Sequence, residues 1–456
     1  MLISVVNSTL FTEDLCSCVT RCRRFGKSMA AKMLSAYYDH SCDSRSLFAD
    51  LEIANDPSFE EHLNKYPVIF LDMTYFTSRD DITVKEIVPT LQKEVKAEVL
   101  ELYPTDTVKD TDNLMAALIK VAERHDVQFI MIIDEWDAIC REASADSEAM
   151  DSYVKLLRLL FKNNNTPNVF AGVYLTGILP ITIKKYNTQS ALNNFIEYSM
   201  ILPRKMSGYF GFTKDDVRKL AEKHDMDFDE LVKWYDGYQI GDEPSMFNPN
   251  SVMQAVNSGL CASFWATTGA YDAVSSYISY NYEGLKDDIV RMLAGGRCKV
   301  DPTRFSNDMS VVKSKDDVFT VLIHLGYLSY DWKKSECYIP NKEVEGEMVR
   351  AVKSNCWKTV VDALQQSEQL LAATLQGEEE AVARALDAAH DEHTSILSYN
   401  DENSLACVIS IAYYYAFNDY ISHREMATGK GFADIVLMPR KNVDAPAIVI
   451  ELKKRP

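Results

Sequence analysis

No stretch of this 456-residue chain is long and apolar enough to span a bilayer. Its first ten residues lack a positive flank, and Asn7-Ser8-Thr9 interrupts their apolar run, so they do not read as a secretory signal. An excess of positive charge is also missing. The formal net charge is −19, which excludes a surface that coats polyanions as a whole and confines any nucleic-acid contact to a local patch. Basic residues gather in two places, Arg21, Arg23, Arg24, Lys27 and Lys32, and again Arg440, Lys441, Lys453, Lys454 and Arg455. The ten cysteines are mostly scattered singly, which speaks against a disulfide framework and for a reducing compartment. Cys16, Cys18 and Cys22 lie close together, but no His or fourth Cys is near enough to complete a zinc knuckle. No internal repeat or low-complexity tract stands out. What remains is an ordinary globular composition, long enough for two or three domains, with no membrane partner and a cytoplasmic location expected.

The stretch Arg23-Arg24-Phe25-Gly26-Lys27-Ser28 carries the most chemistry. A Gly-Lys-Ser tripeptide opening a helix suits phosphate binding: Gly26 lets the backbone approach, Lys27 brings a point charge, and Ser28 offers a hydroxyl to Mg²⁺. A strand expected at Leu15–Thr20 and a helix at Met29–Tyr38 would put the anion at a helix N-terminus. The first glycine of the phosphate-loop pattern is absent, since Arg21 stands five residues before Gly26. A plain helix start is the competing reading.

The apolar run Phe129-Ile130-Met131-Ile132-Ile133 has the pattern of a strand buried on both faces, and it ends in Asp134-Glu135. Open α/β sheets place their ligands at that edge. Asp134 there suits Mg²⁺ and Glu135 suits polarising the attacking water. Alternatively Asp134 merely caps a helix beginning at Trp136-Asp137.

Further strands are expected at Val68–Met73 and Val169–Thr176, with helices at Val84–Tyr103, Asp112–His125 and Ser147–Phe161 between them. That alternation predicts a parallel sheet covered on both sides. Thr176, closing its strand, suits a γ-phosphate sensor or a simple turn residue, and Asp72 has the same ambiguity. From Thr213 the pattern turns to short helices at Lys214–His224, Asp229–Tyr235 and Pro249–Ala255. The run Val318–His324 followed by a hairpin-like piece suggests a winged-helix or lid module used for packing. Residues 343–393 read as helical, with a break at Gly377. The expected domains are 1–205 (nucleotide-binding), 206–342 (lid and winged-helix-like), 343–395 (connector) and 396–456.

Near the end, Ala433–Met438 and Ala447–Lys453 are strand-like runs. Pairing Asp434 with Glu451 sets Val436 against Val449 and leaves Ile435, Leu437, Ile448, Ile450 and Leu452 on one aliphatic face. The other face then gathers Asp434, Glu451 and Lys453. Two opposed carboxylates repel unless a cation lies between them, so a shared Mg²⁺ is one reading, with Lys453 orienting water; a solvated charged face is the other. A helix at Ser404–Tyr420 is expected upstream, with Glu402 as a further ligand or, more simply, a first-turn acid.

Taken together, the chain resembles a bacterial family in which an AAA-ATPase-like domain precedes a PD-(D/E)xK nuclease-superfamily domain. The resemblance rests on residues 23–28, Ile-Ile-Asp-Glu-Trp-Asp (132–137), Leu-Thr-Gly-Ile-Leu-Pro (175–180), Trp-Tyr-Asp-Gly-Tyr (234–238), Asn-Pro (248–249), Ile-Pro-Asn-Lys-Glu (339–343), Gly-Phe-Ala-Asp (431–434) and Glu-Leu-Lys (451–453). It implies an α/β P-loop NTPase sheet with a helical, winged-helix-like lid and a small restriction-endonuclease-like α/β domain. It implies ATP at Arg24, Phe25, Gly26, Lys27, Ser28, Asp134 and Thr176, with Mg²⁺ at Ser28 and Asp134 and Glu135 catalytic. It also implies a metal-dependent nuclease centre at Asp434, Glu451 and Lys453. Family members often carry Pro where this chain has Cys22. In the superfamily a helix and strand follow the Glu-x-Lys strand; here the domain is expected to be incomplete, and so either inactive or completed by a partner. Two functions therefore stand: an ATP-driven, Mg²⁺-dependent enzyme acting on DNA or RNA, or a nucleotide-dependent switch or scaffold whose nuclease remnant binds nucleic acid or a protein. A homo-oligomer fits either, and no arginine finger is assigned, Arg204 being a candidate by position alone.

Overall fold

The computed structural model describes residues 1–142, 146–181, 192–265, 277–280, 282–293, 295–305, 312–354, 358–394, 409, 412, 413, 415, 416, 420–427, 432–440 and 443–452. The chain divides into two compact units, Met1–Ala262 with Val300–Asn341, and Ser263–Lys299 with Lys342–Pro456.

The first unit is built on five strands: β1 (Cys16–Thr20), β2 (Val68–Asp72), β3 (Phe129–Asp134), β4 (Phe170–Gly177) and β5 (Ile196–Tyr198). Their order across the sheet is β2-β3-β4-β1-β5, with parallel pairing throughout. Side chains alternate between two cores. Met131 and Ile133 join Val173, Leu175 and the helices Ile87–Leu102, Leu114–His125 and Ser147–Phe161 on one face. Ile130 and Ile132 join Tyr174 on the other, against α1 (Leu2–Asn7) and α2 (Lys27–Tyr38). Period-two alternation with both faces apolar is what a sheet covered by two helical layers needs. β1, though poor in β-branched residues, is buried along its whole length; its small thiols pack as hydrophobes.

Several boundaries move, each for a local reason. α2 starts at Lys27 rather than Met29. The expected helix from Val84 opens as a 3₁₀ turn held by a Thr83–Glu86 capping box, and the α-helix proper begins at Ile87. Asn113 caps the next helix, accepting from the Ala116 N–H at 2.9 Å, so Asp112 lies outside it.

Beyond the sheet, this unit carries the helices Lys214–His224, Phe228–Tyr235 and Pro249–Ser258 and a hairpin of Tyr238–Ile240 with Glu243–Met246. Helix Lys315–Leu325 is buried from Asp317 onward and is followed by the antiparallel hairpin Ser329–Asp331 and Glu336–Tyr338.

The second unit contains helices Leu285–Leu293, Lys342–Ser354, Lys358–Gln376 and Glu379–Thr394. It also has an antiparallel sheet in which Phe432–Pro439 lies between Tyr420–Ala427 and Ile448–Ile450. The helix expected over Ser404–Tyr420 does not reach its last residue. Tyr420 is buried and opens a strand, opposite Pro439. Val436 faces Val449 as the aliphatic-face argument requires, and Ile435 and Leu437 enter a core with Leu370, Leu371 and Tyr413.

Candidate functional site

The loop between β1 and α2 is shaped by its flanks. Arg21, where a glycine would be looked for, is fully buried. Its guanidinium donates to the carbonyls of Thr20 (2.8 Å), Tyr198 (2.7 Å) and Met206 (2.8 Å) and lies over the Phe210 ring. Burial lowers its pKa from 12.5 to about 10, which still leaves it charged at neutral pH. Arg21 thus ties the start of the loop to the edge strand β5 and to the turn at Met206. Cys22 is buried too, and burial pushes its thiol up to about 12. The loop closes at Gly26, whose φ of +86° is left-handed; a non-glycine residue is strained there.

Phe25 turns its ring inward. It is 1% exposed and packs edge-on to Tyr238 at 5.1 Å, so its backbone, not its side chain, is left to meet a ligand. The backbone of Arg23 is held as well, its carbonyl accepting from Asn248 Nδ2 at 3.4 Å. Arg24 has φ +70° and is half-buried, as is Ser28.

Lys27 is 3% exposed at its side chain. Its Nζ donates to the Cys22 carbonyl at 3.2 Å and stands 3.7 Å from Glu135 Oε1. The loop lysine and the acid that follows β3 are therefore together. Asp134 is buried, accepting at Oδ1 from the Thr176 hydroxyl and from the Glu135 N–H (3.1 Å). It does not cap the following helix, which spans Ala138–Glu142. Thr176 is likewise no turn residue but a buried strand position bonded to Asp134. Asp72, by contrast, caps a short helix, accepting from the Thr74 N–H.

Four residues complete this arrangement, three of them inside the quoted motifs but given no role from sequence. Trp136 N–H donates to the Thr176 carbonyl at 2.8 Å. Asp137 is fully buried, and its Oδ2 accepts from the N–H groups of Ile178 (3.2 Å) and Leu179 (2.9 Å). Gly177 is required by this close approach: an ideal Cβ there falls 2.6 Å from Trp136 ring atoms and 2.8 Å from Asp137 Oδ1. Arg141 donates from Nη2 to Glu135 Oε2 at 2.5 Å, while its Nε lies 3.2 Å from Asp137 Oδ2 as an ion pair without hydrogen-bond geometry. The i,i+4 spacing of Asp137 and Arg141 was the available signal. The stretches Ile-Ile-Asp-Glu-Trp-Asp and Leu-Thr-Gly-Ile-Leu-Pro are thus one interlocked pair of loops.

The residues expected to act at the C-terminal end are placed differently. Asp434 Oδ2 accepts the Leu452 N–H at 2.7 Å. Glu451 is exposed, one residue past the end of its strand. Lys453 and Glu402 lie outside the described residues. Among the described residues no group of three or more His, Cys, Asp or Glu is placed to hold a metal ion. No described helix is long and apolar enough to cross a membrane. Arg204 is exposed at the start of a turn, with φ +48°.

A five-stranded parallel sheet flanked by helices, with a Gly-Lys-Ser loop after its first strand and an acidic pair after its third, is consistent with a P-loop NTPase fold. Residues 6–186 match the family model of a predicted AAA-ATPase (AAA-ATPase-like). No curated protein matches the chain. Among solved structures it is similar to the Aeropyrum pernix ORC1 protein in complex with DNA, at 12% identity over 76% of this chain and 90% of that one. The TM-score is 0.26, a likeness too slight to carry an argument.

Proposed function

We propose that the N-terminal unit binds and hydrolyses ATP with Mg²⁺. The observation that supports this most is the meeting of Lys27 Nζ with Glu135 Oε1, 3.7 Å apart where the first and third strands end. The loop suits a phosphate: no side chain caps the start of α2, and a Cβ built on Gly26 meets nothing within 4 Å. Uncapped N–H groups at a helix N-terminus favour an anion. In this reading Lys27 and the N–H groups of Gly26, Lys27 and Ser28, with the Arg24 and Phe25 backbone, take the phosphates. Ser28 and Asp134 hold Mg²⁺, which neutralises phosphate charge when bound. Thr176 holds Asp134, and Glu135 orients the attacking water. Lys27→Ala should weaken binding of a fluorescent ATP analogue at least about tenfold; an unchanged Kd removes the assignment.

The finer part of the proposal is that this ATPase is coupled to a Mg²⁺-dependent, PD-(D/E)xK-like nuclease module at Asp434, Glu451 and Lys453, acting on DNA or RNA. Continuing the observed pairs Val436–Val449 and Ile435–Ile450 by one residue sets Asp434 across from Glu451. The second reading, a nucleotide-dependent switch or scaffold with an inactive remnant, is favoured by the Asp434 carboxylate accepting from the chain itself at Leu452. A Mg²⁺-dependent cleavage assay separates them. Cutting that disappears in Asp434→Ala supports the enzyme, and no cutting by either protein supports the scaffold.

A further inference from the structure

We propose that Arg141 is a positioning residue for ATP hydrolysis, holding Glu135 by one carboxylate oxygen so that the other is released, already aimed, when nucleotide binds. This rests on the ATPase reading of the same site. The two oxygens of Glu135 have different cationic neighbours. Oε1 faces Lys27 at 3.7 Å, and Oε2 accepts from Arg141 Nη2 at 2.5 Å. The two cations differ in freedom. Lys27 is on the loop and is a point charge on a flexible stem, able to turn to a phosphate. Arg141 is a planar fork whose Nε stands 3.2 Å from the fully buried Asp137, and Asp137 is itself bonded to the N–H groups of Ile178 and Leu179. The anchor of Arg141 is therefore the loop that follows β4.

Glu135 is constrained on its backbone side too. Its φ is +51°, a left-handed conformation uncommon for this residue type, and its N–H donates to Asp134 Oδ1 at 3.1 Å. Each oxygen of the carboxylate stands beside a cation, and the side chain keeps 19% exposure. A triphosphate competes for Lys27 and leaves the hold on Oε2 intact. The glutamate then presents one oxygen in a fixed direction, as a group that orients water must. The same contacts also allow a bland role for Arg141, staking the short helix Ala138–Glu142 through its i,i+4 pair with Asp137. A stake of that kind would not separate turnover from affinity.

The experiment measures ATP Kd and steady-state kcat for the full chain and for Arg141→Met, Arg141→Lys and Lys27→Ala. Arg141→Met should lower kcat roughly 10- to 100-fold with Kd within about threefold. Arg141→Lys, able to reach Oε2 but not to fork, should recover part of the loss. A kcat of Arg141→Met equal to or above that of the unsubstituted chain overturns the proposal, and so does a parallel loss of affinity and turnover. If Lys27→Ala binds ATP as the unsubstituted chain does, the ATPase reading fails and this proposal with it. If Lys27→Ala loses binding while Arg141→Met turns over normally, the positioning role alone is lost.

Discussion

Two places where carboxylates stand near one another among the described residues are held in different ways. After β3 and β4, Asp134, Glu135 and Asp137 are bonded to Thr176, Arg141 and the backbone of 178 and 179, so each polar side chain fixes another. On the C-terminal sheet, Asp434 accepts from a backbone N–H at Leu452, and Glu451 stands exposed past its strand. The difference is one of burial. Asp134 and Asp137 are buried at the first place, where a polar group without a partner is costly. Preorganised chemistry needs polar groups that hold one another, as in the first arrangement.

Substitutions can break or sharpen that contrast. The largest expected effect separates the two centres: Lys27→Ala loses ATP affinity, whereas Asp434→Ala leaves it unchanged in the same titration. Equal losses would mean that the carboxylate centres are not independent. Next comes one substitution made in both units. Gly177→Ala drives a methyl into Trp136 and Asp137 and should destabilise by about 1–3 kcal/mol in urea unfolding. Gly346→Ala meets nothing within 4 Å on the helix Lys342–Ser354 and should instead stabilise by about 0.5–1 kcal/mol. Equal signs would show that the space at each glycine does not decide the outcome.

An effect graded with pH belongs to His324. Burial pushes its imidazole down from 6.5 to about 3, and Nδ1 has no hydrogen-bond partner. The folded chain keeps this ring neutral while the unfolded chain protonates it below pH 6.5. Stability therefore falls as pH drops from 6.5 toward 3, by about 1.4 kcal/mol per unit at most. His324→Leu should flatten that part of the acid limb in unfolding titrations. An unchanged slope would show that the ring is hydrated in the fold.

Much of this architecture was readable in advance where the signal was local. Phe129–Asp134 has the expected bounds because its apolar run stops at an acid, and Ser147–Phe161 and Lys214–His224 because Asp146 and Thr213 cap their first turns. The Val436–Val449 register was readable because a one-residue slip would have turned an aliphatic face outward. Other features left no such trace. Nothing near Tyr420 in sequence announces that it opens a strand, because the reason is Pro439, nineteen positions on. Arg21 reads as a surface cation until the carbonyls of Tyr198 and Met206 meet it.

By itself, the chain's periodicity determined a parallel α/β sheet with a lysine-bearing loop and an acidic strand end, since alternation and caps act over a few residues. Tertiary structure alone decided that Lys27 would rest against Glu135, that Arg141 would take the other oxygen, and that Asp137 would hold the loop after β4. The first and last of those contacts join residues brought together by strand order, and the second lies within the segment after β3. Strand order is set by long-range burial, which no local pattern encodes.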